Sequence, residues 1–311
     1  MTRVAAIDCG TNSIRLLVAD VAPATDGGAA RLVDLAREMR VVRLGQDVDR
    51  TGRLAVEAID RTMAALRDYV AQIEQLGAER VRMVATSATR DAANSADFVA
   101  QVQALLGREP DVASGDEEAR LSFAGATGEL PADDGPYLVC DIGGGSTELV
   151  LGTDAPSAAL SVDVGCVRLT ERHLQDDPPT DEQVRAARED VRMALELVRG
   201  VVPVSDARTL VGVAGSVTTV AAIALDLPGY DPTRIHGSRI SREDVREVTR
   251  RLLALTRAKR ANIAVMHPGR VDVIGDGALV LDEVMEGFGF DEVLVSEHDI
   301  LDGIALSAAQ S

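Results

Sequence analysis

The sequence predicts an α/β chain of two duplicated lobes, and three observations carry that prediction. First, two stretches 133 residues apart align without a gap. One is Asp8-Cys9-Gly10-Thr11-Asn12-Ser13 running into residues 14–18; the other is Asp141-Ile142-Gly143-Gly144-Gly145-Ser146 running into residues 147–151. Asp8 falls on Asp141, Gly10 on Gly143, Ser13 on Ser146 and Leu16 on Leu149. Each copy follows a short apolar run and leads into another, which reads as strand, tight polar turn, strand. Second, after each copy, apolar runs of strand length are interspersed with stretches of helical spacing. Third, 311 residues suffice for two full cores, and residues 130–136, ending Pro131-Ala132-Asp133-Asp134-Gly135-Pro136, are the clearest composition break before the second turn.

The elements follow in order. Residues 4–20 read as a hairpin, 23–30 as a loop, and 31–44 as a further strand pair or extended edge. Over 55–77, Val56, Ile59, Met63, Leu66, Val70 and Ile73 recur at three and four, and Gly77 is a stop signal. Residues 81–86 read as a strand and 98–106 as a helix; Ser114-Gly115-Asp116-Glu117 has the form of a capping box that opens a helix through Arg120 and Phe123. Downstream, 180–198 and 241–255 are helical, and 210–213 is a strand ending in Ala214-Gly215-Ser216, a Gly/Ser turn at a helix start. Residues 271–274 and Gly275-Asp276-Gly277 lead into an apolar helix over 278–285; 293–296 is a last strand and 299–309 a closing helix. The expected lobes are 1–124, with 297–311 packing back on it, and 125–296, with the cleft between them near residues 120–136.

Composition narrows the function. The 46% hydrophobic content with no Trp, three Tyr and four Phe means cores of Val, Leu, Ile and Ala. A net charge of −18 disfavours non-specific nucleic-acid binding and repels polyanions at long range. A phosphate substrate must therefore be held by backbone amides, a few arginines and a divalent metal. Lys259 is the one lysine, so no Walker A loop, kinase strand lysine or Schiff base fits. Gly275-Asp-Gly-Ala-Leu-Val280 lacks the third glycine of a dinucleotide fingerprint. The four histidines show no metal-ligand spacing, and Cys9, Cys140 and Cys166 form no CxxC pair and read as reduced, buried thiols. No secretory or transit pattern and no apolar run of about 18 residues is seen, so a cytoplasmic protein without membrane or nucleic-acid partners is expected.

A turn rich in Gly and Ser/Thr points backbone N–H groups into one concavity, which suits an anion, and carboxylates beside it can hold a hard cation. Two such turns facing each other would grip a phosphate chain. Thr11, Asn12 and Ser13, with Asp8, fit an ordinary hairpin turn equally well taken alone; the second copy favours a ligand. Three consecutive glycines cost backbone entropy, so Gly143, Gly144 and Gly145, with Ser146 and Thr147, point to close approach of a ligand. A flexible linker does not fit between two apolar strands. Asp141 and Glu148 are candidates for Mg²⁺, or another divalent cation such as Mn²⁺, directly or through water. Arg90 follows a strand, where its guanidinium reaches a phosphate bidentately, although a surface arginine is an ordinary alternative. Arg15 and Arg168 are weaker candidates. Asp116, Glu117 and Glu118 complement a helix N-terminus; with Ser114 as cap, Glu117 is spent on the capping box and Glu118 is freer.

Together these residues resemble the exopolyphosphatase/guanosine pentaphosphate phosphohydrolase (Ppx/GppA) family. The motifs are Asp8-x-Gly-Thr-Asn-Ser13, Ala85-Thr-Ser-Ala-Thr-Arg90, Gly115-x-Glu-Glu-Ala-Arg120, Asp141-Ile-Gly-Gly-Gly-Ser-Thr-Glu148 and Arg270-x-Asp-Val-Ile274, in family order over nearly the whole chain. Arg168, in Gly165-Cys-Val-Arg-Leu-Thr170, also lies in a family-like segment. The resemblance implies an actin/hexokinase-type (ribonuclease H-like) fold, two duplicated lobes around a central cleft, in the family's short two-lobe form, which often dimerises. It implies metal-dependent removal of the terminal phosphate of inorganic polyphosphate, or hydrolysis of guanosine pentaphosphate. The family's catalytic glutamate matches Glu118, the residue before Ala119-Arg120, which would align the attacking water. Gly215 and Ser216, like Gly275-Asp276-Gly277, resemble phosphate-side turns of that fold or are plain strand–helix turns. An actin-like ATP-dependent kinase and a non-catalytic phosphate or nucleotide sensor or assembly subunit are the remaining alternatives.

Overall fold

The computed structural model describes residues 1–23 and 30–310; residues 24–29, the centre of the loop expected over 23–30, lie outside them. The chain divides into two compact units, Met1–Leu130 with Asp299–Ser311, and Pro131–His298.

The N-terminal unit runs β1 (Thr2–Cys9), β2 (Ser13–Ala22), β3 (Arg31–Val41), α1 (Val48–Thr51), α2 (Val56–Leu76), β4 (Arg80–Ala85), α3 (Ser87–Asp91), α4 (Ser95–Leu106), β5 (Asp111–Val112) and α5 (Gly115–Thr127). Its sheet has the order β3-β2-β1-β4-β5. The β1–β2 and β2–β3 pairs are antiparallel, while β4 lies parallel to β1 and β5 to β4. Alternate residues of β1 serve two cores. Ala5, Ile7 and Cys9 pack with Leu66, Phe98 and Val102 of α2 and α4, whereas Val4 and Ala6 pack with Ile300, Leu301 and Ile304 of the C-terminal helix (Ile300–Gln310). A strand covered on both faces reads as a continuous apolar run, as residues 4–7 do. The α2 helix ends where expected, at Gly77 with φ 68°. Ser114 caps α5 by accepting the Glu117 N–H, but the Glu117 carboxylate takes the Arg82 guanidinium at 2.6 Å, so the expected spending of Glu117 on a capping box is corrected.

The C-terminal unit runs β6 (Tyr137–Ile142), β7 (Thr147–Gly152), β8 (Pro156–Val162), α6 (Cys166–His173), α7 (Asp181–Val201), β9 (Thr209–Val213), α8 (Ala214–Ala224), α9 (Pro232–Ile235), β10 (Arg239–Ser241), α10 (Arg242–Ala254), α11 (Arg257–Arg260), α12 (Ile274–Phe288) and β11 (Glu292–Val295). Its sheet order is β10-β11-β9-β6-β7-β8. Read from β8 to β11, the order and the strand directions repeat those of the first sheet, with β10 added antiparallel at the edge. The duplicated α/β fold class is therefore as expected. Thr180 and Gln183 cap α7 with a reciprocal box, and Ser241 caps α10. One reading is overturned. Gly275, Asp276 and Gly277 form no phosphate-side turn but lie within the first turn of α12. The glycine at 277 is there for packing: a Cβ would stand 2.3 Å from Ser216 Oγ of α8.

In each unit the parallel strands share a direction, so the turns at their C-terminal ends share one edge of the sheet, where α/β sheets bind ligands. In the first unit these are residues 10–12, 86–90 and 113–118; in the second they are 143–146, 214–216 and 296–298.

Candidate active site

The two duplicated turns close alike, by a 3.0 Å bond from the Gly10 N–H to the Ser13 carbonyl and from the Gly143 N–H to the Ser146 carbonyl. In both, the segment after the third strand takes up the turn's carbonyls. The Gly45 N–H reaches Thr11 O at 2.9 Å, and those of Val42 and Arg43 reach Asn12 O at 3.1 and 2.9 Å. The Cys166 N–H reaches Gly143 O at 3.0 Å, and those of Val167 and Arg168 reach Gly144 O at 2.9 and 3.1 Å. In a trans peptide the N–H points opposite to the C=O, so occupied carbonyls on one side leave amides facing the other. Among the described residues the N–H groups of Thr11, Asn12, Gly144 and Gly145 donate to no backbone carbonyl. The close approach needs a glycine in both segments: a Cβ would stand 2.3 Å from Thr11 Cγ2 at Gly45 and 2.4 Å from Gly144 O at Gly165.

The side chains across the ladder differ. Asp8 pairs with Arg15 in β1–β2 register, and Asp141 with Glu148 in β6–β7 register. Partners directly opposite in an antiparallel pair share a face. Arg15 holds Asp8 Oδ2 through Nε at 2.9 Å and Nη2 at 2.8 Å, and its Nη1 donates to Asp299 at the start of the C-terminal helix. Burial raises the Asp8 carboxyl above its ordinary range, with Arg15 pulling the other way. Arg15, the weaker candidate for a phosphate ligand, is thus the counter-ion of two buried carboxylates. In the second unit two carboxylates face each other, both buried, and Ser161 Oγ donates to Glu148 Oε1 at 2.6 Å. Like charges directly opposite destabilise a ladder unless a cation joins them. Two hard oxygen donors beside an amide-lined turn suit Mg²⁺ or Mn²⁺, so Asp141 and Glu148 fit the expected metal.

Beside the first turn, the Thr86 N–H donates to Cys9 O at 3.1 Å, and Thr11 Oγ1 lies 2.9 Å from Ser87 Oγ. Arg90, at the end of α3, donates from Nη1 to Glu118 Oε2 at 2.9 Å and to Ala113 O at 3.0 Å. Glu118 is buried and turned toward Arg90, while its neighbour Glu117 is turned toward Arg82. Asn12 is buried too, and neither end of its amide makes a hydrogen bond among the described residues. An amide buried that way costs about 1–3 kcal/mol unless something polar meets it.

Thr147 is fully buried and its hydroxyl donates to the Val164 carbonyl. Arg168 braces the turn, its Nε donating to Gly145 O at 2.7 Å. Ser216 is buried, and Gly215 leaves room for Arg270, whose Nη2 would lie 1.7 Å from a Cβ there. Ala214, just before them, is held at φ 68°, in the left-handed region. The three cysteines are buried, and burial raises each thiol above its ordinary range, which fits their reading as small hydrophobes. Of the further residues at the turns, Ser87 lies inside the Ala85–Arg90 motif and Gly165 opens the Gly165–Thr170 segment, while no local pattern marks Gly45.

Residues 21–311 match the Ppx/GppA phosphatase family. Exopolyphosphatase 2 of Mycobacterium tuberculosis is 54% identical over 320 residues, covering 99% of each chain. The chain belongs to the Ppx/GppA family. A crystal structure of an exopolyphosphatase-like protein superposes on this family member with a TM-score of 0.94 at 43% identity, over 99% of each chain. An exopolyphosphatase from Cytophaga hutchinsonii does so with a TM-score of 0.86 at 25% identity, over 97% of this chain and 96% of that one. The family and the duplicated α/β fold implied by the motifs are thus confirmed, and the family is one of phosphatases.

Proposed function

We propose that this chain is an exopolyphosphatase that removes the terminal phosphate of inorganic polyphosphate. The observation that carries the reading is the Glu118–Arg90 pair, a buried carboxylate fixed by a guanidinium on the same sheet edge as the amide-lined turn at residues 10–12. Relatives bearing the name exopolyphosphatase support the substrate.

In this reading the amides of Thr11 and Asn12 receive phosphoryl oxygens, and the unpartnered Asn12 amide meets one of them; those of Gly144 and Gly145 form a second phosphate cradle within their own unit. Arg90 orients Glu118 and adds positive charge. Glu118 aligns a water and takes its proton as the water oxygen attacks the terminal phosphorus; the bridging P–O bond breaks and the shortened chain leaves with the electron pair. That chain is a stable anion, so no strong general acid is needed. Asp141 and Glu148 would hold Mg²⁺, which would neutralise phosphate charge at the Gly144–Gly145 turn beside them.

We further propose that the protein acts as a cytoplasmic homodimer. No helix among the described residues is long and apolar enough to cross a membrane. The test of function is phosphate release from polyphosphate and from guanosine pentaphosphate, side by side and without any acceptor. Faster release from polyphosphate is expected. Preference for the nucleotide would reassign the substrate, and no release from either would overturn the reading. Light scattering on the purified chain tests the dimer; a monomeric mass would reject it.

A further inference from the structure

Thr170 of α6 places its hydroxyl oxygen 2.7 Å from the Cys166 carbonyl and 2.6 Å from Asp276 Oδ2. A threonine hydroxyl has one proton and donates once. Both contacts are hydrogen bonds only when Asp276 carries a proton and donates it to Thr170, leaving the Thr170 proton for the carbonyl. Asp276 is fully buried, and its Oδ1 makes no hydrogen bond among the described residues. Burial pushes the carboxyl up to about 7, against the opposing pull of Thr170 and then of Arg260. The groups that face Asp276 are Arg260 of α11, which Asp177 and Asp272 also face, and the thiol of Cys166 of α6, itself raised by burial.

The Thr170 proton begins a chain. The Cys166 carbonyl shares a peptide group with the Val167 N–H, which donates to Gly144 O at 2.9 Å. The Gly144 carbonyl shares a peptide group with the Gly145 N–H, one of the amides turned out of the second turn. Hydrogen-bonded peptides in series polarise one another, by about 10–30% per bond. We propose that neutral Asp276 is a positioning residue, which sends the single Thr170 proton to the Cys166 carbonyl and so aims and polarises the Gly145 amide toward an anionic oxygen. Ionised Asp276 only accepts; it takes the hydrogen bond of the Thr170 hydroxyl, and the Cys166 carbonyl keeps only its helical donor, the Thr170 backbone N–H. This inference rests on the reading of the second turn as a phosphate site.

The test is calorimetric titration with tripolyphosphate at about pH 6 and about pH 8.5, on either side of the titration of the buried carboxyl. The ligand's own titration is common to all variants and cancels in their ratios. Between the two pH values wild type should weaken roughly three- to tenfold more than Asp276→Asn, whose amide donates to Thr170 at both. Thr170→Val should bind more weakly than wild type at the lower pH and lose the extra pH dependence. The Gly145 amide proton resonance should move with pH in wild type beyond its movement in Asp276→Asn. Identical pH profiles for wild type and Asp276→Asn, with binding intact, would overturn this inference alone. Absence of tripolyphosphate binding by wild type would remove the phosphate reading of the turn and this inference with it. Unfolding curves for each variant at both pH values separate lost binding from lost folding.

Discussion

The turns after β1 and β6 share one backbone, one closing hydrogen bond and one bracing glycine, yet the residue across the ladder reverses sign. Asp8 faces Arg15, and Asp141 faces Glu148. The first turn carries its own counter-ion, tied to Asp299 as well; the second presents paired carboxylates. The duplicated main chain makes an amide cradle twice, and a single side chain decides which copy suits a cation. The N-terminal unit adds a Glu118–Arg90 pair on the same sheet edge.

The largest effect should come from Glu118. Glu118→Gln should lower phosphate release roughly 10²–10⁴-fold with little change in tripolyphosphate affinity, while Glu117→Gln, whose carboxylate is turned to Arg82, should change the rate a few-fold at most. Equal losses in both would remove the assignment. The comparison is broken most directly at Arg15. Arg15→Met leaves Asp8 and Asp299 buried without their guanidinium and should cost about 3–5 kcal/mol in urea unfolding. Glu148→Gln, at the matching position, should leave stability unchanged or raised. Its cost should appear in the Mg²⁺ dependence of the melting temperature, with affinity reduced by about tenfold or more. Equal stability losses at the two positions would show the turns to be electrostatically alike.

Asp276 sharpens the picture in the second unit through pH. Its carboxyl is raised to about 7 in the fold. Between the unfolded value, about 3.9, and that figure, only the unfolded chain releases the proton, so stability falls as pH rises and levels off above it. Asp276→Asn should remove that slope and be more stable at neutral pH, by up to about 4 kcal/mol. A slope that persists in the variant would place the titration elsewhere. The smallest effects should be the symmetric ones. Gly45→Ala and Gly165→Ala each push a Cβ into their turn and should cost about 1–3 kcal/mol in unfolding free energy, with weaker tripolyphosphate binding. An effect at only one of them would mean that the two cradles are braced differently.

Much of the fold could be read without coordinates. The hairpins on both sides of the duplicated turns, the α2 periodicity with its Gly77 stop, and the cap Ser114 all lie where their residues indicate, and the helices expected over 180–198 and 241–255 start at Thr180 and Ser241, which cap them. β8 escaped because Pro156-Ser-Ala-Ala-Leu-Ser-Val162 has little strand propensity of its own; its register against β7 holds it. Gly275-Asp276-Gly277 looked like a turn because glycine marks turns more often than helix contacts.

At the site the division is similar. Glycine spacing marked both duplicated turns, and the positions of Asp141 and Glu148 marked two carboxylates across the ladder beside the second. Successive helix residues differ by about 100° in direction, so Glu117 and Glu118 diverge once α5 has formed, one to Arg82 and one to Arg90.

Strand–turn–strand repeats, helix caps and stop glycines were determined by the sequence itself, because each depends on chemistry within a few neighbouring residues. Tertiary structure decided the charge partners. Arg15 meets Asp299 284 positions away, and Thr170 meets Asp276 106 positions away. No local preference encodes such contacts; they exist only after packed helices and sheets have removed the water that would otherwise solvate each group separately.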